Sequence, residues 1–407
     1  MINQYNILLV FLFCVFPFLY SQEKDIECFP QQITDKRDFP KNIPGKTMGQ
    51  KLESLLFWSQ EEKERRFALM HSIYPSLPVA IGKKVKPLMK TEVITPLWEN
   101  DYKLSSYIED NKIGGVIVLH NNKIKLEAYG KMANENTLWT SYSVAKSISS
   151  MLVGAALKDR SIQSMDDELQ KYIVELKGKE YGKVTVRELL TMTSGIQWNE
   201  DYADPNSDVA LMYQNDCEGE EAHILTYMKN LKQIHSAGER WNYSTGETDL
   251  IGILIQRATG KSLSKYLSEK IWQPFGMEHC GFWLTDECSN MNIGGSGLSA
   301  SIRDYARLGL VMLQEGKIDG DSIFDLKWLE NATSILYPTD ERGGGYGYLW
   351  WCNPDGSYAA QGIFGQMIYI NPSKHLVIAQ VAAWTEASSK ELSKNRQEFI
   401  DAVIRSL

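Results

Sequence analysis

The sequence predicts a mixed α/β (α+β) protein: one antiparallel sheet built from both ends of the chain, flanked by helices, with an all-helical lobe inserted between its two halves. Three observations carry this. Apolar, β-branched runs of strand length occur around residues 115–129 and again after residue 360. Between them the pattern is helical with long polar loops. The 407 residues, 43% hydrophobic with 11 tryptophans, suffice for a large two-lobed core.

Taken in order, residues 1–21 read as a signal peptide. The apolar run Ile7–Leu19 is too short to span a bilayer comfortably, and Ser21 is a small residue suited to cleavage. A secreted or periplasmic protein with no stable membrane span is therefore expected. Because Met1–Asn6 lacks Lys and Arg, an uncleaved N-terminal anchor is the alternative. Residues 22–95 form an extension that packs on the main domain. Within it, Leu52–His71 reads as a charged amphipathic helix, and Pro75, Pro78 and Pro87 mark an irregular connection.

The main domain spans 96–407. A helix is expected at Leu104–Asp110, then strands Gly115–His120 and Lys123–Tyr129 joined at Asn121-Asn122, a strong hairpin signal. A core helix starts at Ser143. The helical lobe occupies about 176–290, and within it Gln197–Asp216 is acidic and poor in regular structure, suited to a lid or cleft wall. A helix follows at Ile302–Gln314, strands at Gly362–Ile370 and Leu376–Ala382, and a closing helix runs to Leu407.

The net charge of −8 argues against a nucleic-acid partner, which would require a basic face. Cys14 leaves with the leader, so an odd number of cysteines remains and at least one is free. Cys280 and Cys288 bracket a short loop and either pair or stay as thiols. Without C-x-x-C spacing or an H-E-x-x-H, neither a metal site nor a cofactor is expected.

An S-x-x-K tetrad occurs three times, at Ser21–Lys24, Ser143–Lys146 and Ser262–Lys265. Residues three apart share a helix face, so the ammonium reaches the hydroxyl without backbone distortion. Context selects the middle copy: Val144, Ile148, Met151, Leu152, Ala155 and Leu157 follow it and would bury the helix on most sides. Ser143 then stands at a buried helix N-terminus, where free N–H groups and the dipole favour an oxyanion. The first copy falls at the leader's end and the third on a polar amphipathic helix. The plain structural alternative makes Ser143 an N-cap and Lys146 a solvated residue.

Four ordered motifs then carry a resemblance: Ser143-Val-Ala-Lys146, Val186-Arg-Glu-Leu-Leu-Thr-Met-Thr-Ser-Gly195, Tyr243-Ser-Thr245 ahead of an Asp249–Gly252 helix, and Gly295-Ser-Gly-Leu-Ser299. From about Pro96 onward the chain resembles the β-lactamase-like, penicillin-recognising serine hydrolases. Trp198-Asn-Glu-Asp-Tyr202, Asp204-Pro205 and Gly362-Ile-Phe-Gly-Gln366 are similar to the 6-aminohexanoate-dimer hydrolase-like branch. The resemblance implies a β-lactamase/transpeptidase-like fold with Ser143 as nucleophile and Lys146 and Tyr243 as general base and acid. It also implies an oxyanion hole from the backbone N–H groups of Ser143 and Ile363, and substrate contacts from Thr245, Gly362, Tyr202 and Asp204.

Two departures bear on substrate. The Tyr-x-Asn motif ends here in Thr245, and the Lys-Thr-Gly strand reads Ala360-Gln361-Gly362, which removes its cation and hydroxyl. A β-lactam carboxylate therefore lacks its usual partners on that strand, so the expected substrate is a small carboxylic ester or linear amide. The alternatives are a β-lactamase or D-alanyl-D-alanine carboxypeptidase and, outside catalysis, an inactive wall-binding protein.

Overall fold

Residues from opposite ends of the chain meet side by side in one sheet. The computed structural model describes residues 27–32, 53–339 and 343–407; the leader and its Ser21–Lys24 tetrad lie outside them. Strands β1 (Ile113–His120) and β2 (Lys123–Tyr129) form a hairpin, and its turn residues Asn121 and Asn122 have φ of 49° and 63°. Asparagine tolerates that left-handed pair, which matches the twist of the strands. Strands β3 (Tyr358–Gly362), β4 (Gln366–Asn371) and β5 (Leu376–Ala382) follow late in the chain. β5 pairs antiparallel with β1, giving the order β2-β1-β5-β4-β3 and then three two-residue strands between 337 and 352.

Four longer helices organise the rest: α1 (Val144–Lys158), α2 (Thr245–Thr259), α3 (Ile302–Leu313) and α4 (Lys390–Arg405). α3 packs against β5, β4 and β1. It sits so close that a Cβ at Gly309 would lie 2.5 Å from Val377 Cγ1, so only glycine fits there. α4 buries Phe399, Ile400, Ala402 and Val403, with Phe399 stacked at 4.5 Å on Tyr107 of the helix Leu104–Asp110.

Several expectations change in detail. The strand expected over Gly362–Ile370 is broken by a turn at Ile363–Gly365, because Gly362 pairs with Gln366 across a hairpin. The helix expected over Leu52–His71 is split into Glu53–Phe57, Gln60–Arg66 and Met70–Ile73; the middle piece starts at a reciprocal Ser59–Glu62 capping box, which fixes its first turn. Inside the lobe expected to be helical to about 290, Gly281–Leu284 is a strand. It pairs with Ser76–Val79 of the extension and with Leu298–Ala300, in a four-stranded sheet completed by Trp139–Thr140.

The strand Gly281–Leu284 lies between Cys280 and Cys288, and these two cysteines do not bond each other. Cys28 instead bonds Cys280, and Cys217 bonds Cys288, tying the acidic loop to the end of the lobe. Among the described residues Cys352 is the free, buried thiol. Among the described residues no helix is long and apolar enough to cross a membrane.

Candidate active site

The nucleophile candidate is placed by a strand-to-helix corner. Trp139–Thr140 runs into Ser141 and Tyr142, Tyr142 adopts a φ of 44°, and Ser143 opens α1. Residues 144–156 are all buried, as their apolar sequence requires. The three internal serines are satisfied by the loops that pack on the helix: Ser147, Ser149 and Ser150 each donate at 2.6 Å, to the carbonyls of Leu349, Gly294 and Tyr348. By contrast Ser262 caps its own short helix, its Oγ accepting from the Lys265 N–H at 3.1 Å.

Lys146 is almost wholly buried. Its Nζ donates to Ser143 Oγ at 3.1 Å, Thr245 Oγ1 at 2.9 Å and the Gly295 carbonyl at 3.0 Å. Burial drives its pKa down to about 8, against the opposing pull of Glu200 and Asp249. A buried amine near neutrality and in contact with a hydroxyl can act as its base.

Tyr243 stands just before Ser244, the N-cap of α2. Its ring stacks on Trp351 at 5.8 Å and meets Tyr346 and Trp241 at 6.2 and 6.3 Å, with Lys146 Nζ 5.4 Å from its centroid. Burial and then the Glu200 charge hold the phenol far above its ordinary pKa, although a hydrogen bond with Ser143 pulls the other way. The Tyr243 phenol is thus held in its protonated form, while the Lys146 amine is shifted toward its neutral form.

The turn after β3 brings Ile363 beside Ser143. A Cβ at Gly362 would lie 2.7 Å from the Ser141 carbonyl and 3.1 Å from the Ser143 nitrogen. Glycine therefore keeps the space in front of that N–H open. The next residue, Phe364, has a φ of 60°.

Two compartments meet at Ser143, and Tyr202 and Ile363 line both. One is largely apolar and includes Leu55, Met70, Val209, Met212 and Thr245. The other includes Tyr243, Gly362, Trp384 and Arg396. The segment 197–216 is a cleft wall, since Tyr202, Val209, Ala210, Met212 and Tyr213 all face the first compartment. Asp204 lines neither; its carboxylate accepts the Asn206 N–H at 2.8 Å within its own loop.

Two residues absent from the sequence-based set are built into the site. Glu200 accepts from Trp198 Nε1, the Thr245 hydroxyl, the Thr245 N–H at 2.9 Å and the Tyr202 hydroxyl at 2.7 Å. Arg396, from α4, donates to Gln361 Oε1 at 2.6 Å and lies 5.1 Å over the Trp384 ring. Burial lowers its pKa to about 10, which leaves it charged at neutral pH. A cation from a helix thus lies beside β3. Elsewhere, Cys217, His223 and Cys288 gather closely enough to hold a metal, but the two sulfurs are joined as a disulfide.

This geometry and fold are those of a serine hydrolase, and the chain belongs to the beta-lactamase family, whose model matches residues 87–401. It is similar to the 6-aminohexanoate-dimer hydrolase of Paenarthrobacter ureafaciens, 25% identical over 368 residues covering 86% of this chain and 93% of that protein. A Bacillus anthracis structure provisionally named a 6-aminohexanoate-dimer hydrolase superposes with a TM-score of 0.74 at 23% identity, over 83% of this chain and 93% of that one. The octameric penicillin-binding protein homologue from Pyrococcus abyssi gives 0.57 at 18% identity, over 74% and 76%. Both structures establish the fold.

Proposed function

We propose that the protein hydrolyses small carboxylic esters or linear amides through an acyl-enzyme on Ser143. Neutral Lys146 removes the Ser143 proton as Oγ adds to the carbonyl carbon. The backbone N–H groups of Ser143 and Ile363 hold the resulting oxyanion. Tyr243 then gives its proton to the leaving amine or alkoxide as the carbon–heteroatom bond breaks, which leaves a Tyr243 phenolate near the Lys146 ammonium, so that in the second half Tyr243 takes the proton of the attacking water and Lys146 returns its own to Ser143 Oγ. Water repeats the addition on the acyl-enzyme, with the same groups in reversed roles. The observation that carries this is the 3.1 Å contact between a buried Lys146 and Ser143 at the meeting point of both compartments.

Arg396 narrows the substrate. A guanidinium in the compartment that holds Tyr243 suits a substrate with a free carboxylate at that end. The name of the Paenarthrobacter relative, an amide dimer of an amino acid, fits the same chemistry. The same arginine gives the β-lactamase alternative its main support, while Thr245 in place of asparagine counts against it. Export to an oxidising compartment fits the two disulfides. Ser143→Ala, assayed on 4-nitrophenyl butyrate and on a linear 6-aminohexanoate amide, tests the proposal: both activities should disappear, and retention of either removes Ser143 as nucleophile.

A further inference from the structure

Lys146 contacts three hydrogen-bond acceptors, one more than its neutral form can use. A neutral primary amine has two N–H bonds and one lone pair. To take a proton from Ser143 it must give both N–H bonds to Thr245 and Gly295, leaving its lone pair for the serine. The Gly295 carbonyl can only accept. The Thr245 hydroxyl could do either, and if it donated to Lys146 it would turn the lone pair away from Ser143.

Glu200 settles the choice. Its Oε1 takes the hydroxyl protons of Thr245 and Tyr202, and its Oε2 takes the Trp198 indole N–H and the Thr245 backbone N–H. Four donors converge on two oxygens, an arrangement that only an ionised carboxylate satisfies completely. We propose that Glu200 is a positioning residue for the base: by holding the Thr245 hydroxyl proton it makes Thr245 an obligatory acceptor for Lys146 and aims the amine's lone pair at Ser143.

The other groups facing Lys146 are already committed. Asp249, on α2, accepts the Gly295 N–H at 2.6 Å and the Tyr213 hydroxyl, and Tyr243 presents its ring. Glu200 comes from the cleft wall, so the inference links that wall to the nucleophile. It rests on Lys146 acting as the base for Ser143.

Glu200→Gln is the informative change. Its amide NH2 cannot sit at the Oε2 position, where two N–H donors point at it, so it must face the two hydroxyls. Thr245 then accepts from the amide and turns its own proton toward Lys146. With 4-nitrophenyl butyrate, kcat should fall roughly 10- to 100-fold, less than the 10² to 10⁴ of losing a general base, with KM nearly constant. The acid limb of kcat/KM should move to lower pH, because a negative charge beside Lys146 is gone. Thr245→Val should lower kcat similarly, and Thr245→Ser should recover most of that loss. Adding Glu200→Gln to Thr245→Val should cost nothing further, since Glu200 acts through the missing hydroxyl. Additive losses, or an unchanged kcat and pH profile in a folded Glu200→Gln protein, overturn the inference. Ser143→Ala run alongside separates the two levels: activity there removes the serine mechanism itself, whereas a dead Ser143→Ala with an unaltered Glu200→Gln removes only the role of Glu200.

Discussion

The rings of Tyr142 and Phe364 lie 5.3 Å apart, and each belongs to a residue with positive φ placed next to one of the two proposed oxyanion donors, Ser143 and Ile363. Left-handed backbone at a bulky aromatic costs about 1–3 kcal/mol and persists only where packing enforces it. Phe67 enforces it here, meeting Tyr142 at 5.0 Å and Phe364 at 5.2 Å. The extension thus helps to hold both donors in place.

Phe364→Ala should therefore damage catalysis as well as packing. Losing a fully buried ring should cost about 3–5 kcal/mol in urea unfolding. In conditions where the protein remains folded, kcat should fall more than KM rises, because the slackened turn carries the Ile363 N–H. Lower stability with unchanged kcat would separate this cluster from the oxyanion hole.

The base should show itself in pH dependence. With Lys146 near 8, kcat/KM should rise with pH through an acid limb centred near that value. The sign for stability follows from the lowered pKa: folding penalises the ammonium below about 8, and that penalty fades as pH rises toward 10.5, where the unfolded lysine also loses its proton. Lys146→Met should consequently raise the Tm at pH 7 and lose that gain by about pH 10, as thermal melts across the range would reveal.

Tyr243→Phe keeps the ring packed against Trp351 and removes only the hydroxyl. A fall in kcat of roughly 10² to 10⁴ is expected, the usual worth of a general acid. Amides should suffer more than activated nitrophenyl esters, because an amine departs only once protonated. Steady-state kinetics on both classes decide this; equal losses would leave Tyr243 as packing.

Arg396 gives a test of substrate class. Replacing it with methionine, which keeps much of the stem, should raise KM for a carboxylate-bearing 6-aminohexanoate amide by about tenfold or more and leave 4-nitrophenyl butyrate nearly untouched. Nitrocefin and benzylpenicillin should be turned over less efficiently than these substrates in the parent protein. More efficient nitrocefin hydrolysis would favour the β-lactamase alternative.

Much of this site was legible in the sequence, for identifiable reasons. Ser143 and Lys146 sit one helical turn apart in an apolar run, so periodicity alone brings them together and buries them. The β1–β2 hairpin was announced by Asn121-Asn122. Glu200 stood inside the Trp198-Asn-Glu-Asp-Tyr202 motif but in an acidic loop, a setting that normally means solvation, and its partner Thr245 lies 45 residues away, at the start of α2. Arg396 reads as an ordinary polar position on an amphipathic helix until α4 packs beside β3. The strand Gly281–Leu284 is four buried residues long and carries no alternation to reveal it.

The central claim is a covalent acyl intermediate on Ser143. The most direct measurement is intact mass spectrometry of protein treated with a fluorophosphonate probe, followed by peptide mapping, on the parent and on Ser143→Ala and Ser262→Ala. One adduct per chain is expected on the peptide containing Ser143, present in the parent and in Ser262→Ala and absent from Ser143→Ala. Labelling that survives in Ser143→Ala, or maps to Ser262, would contradict it.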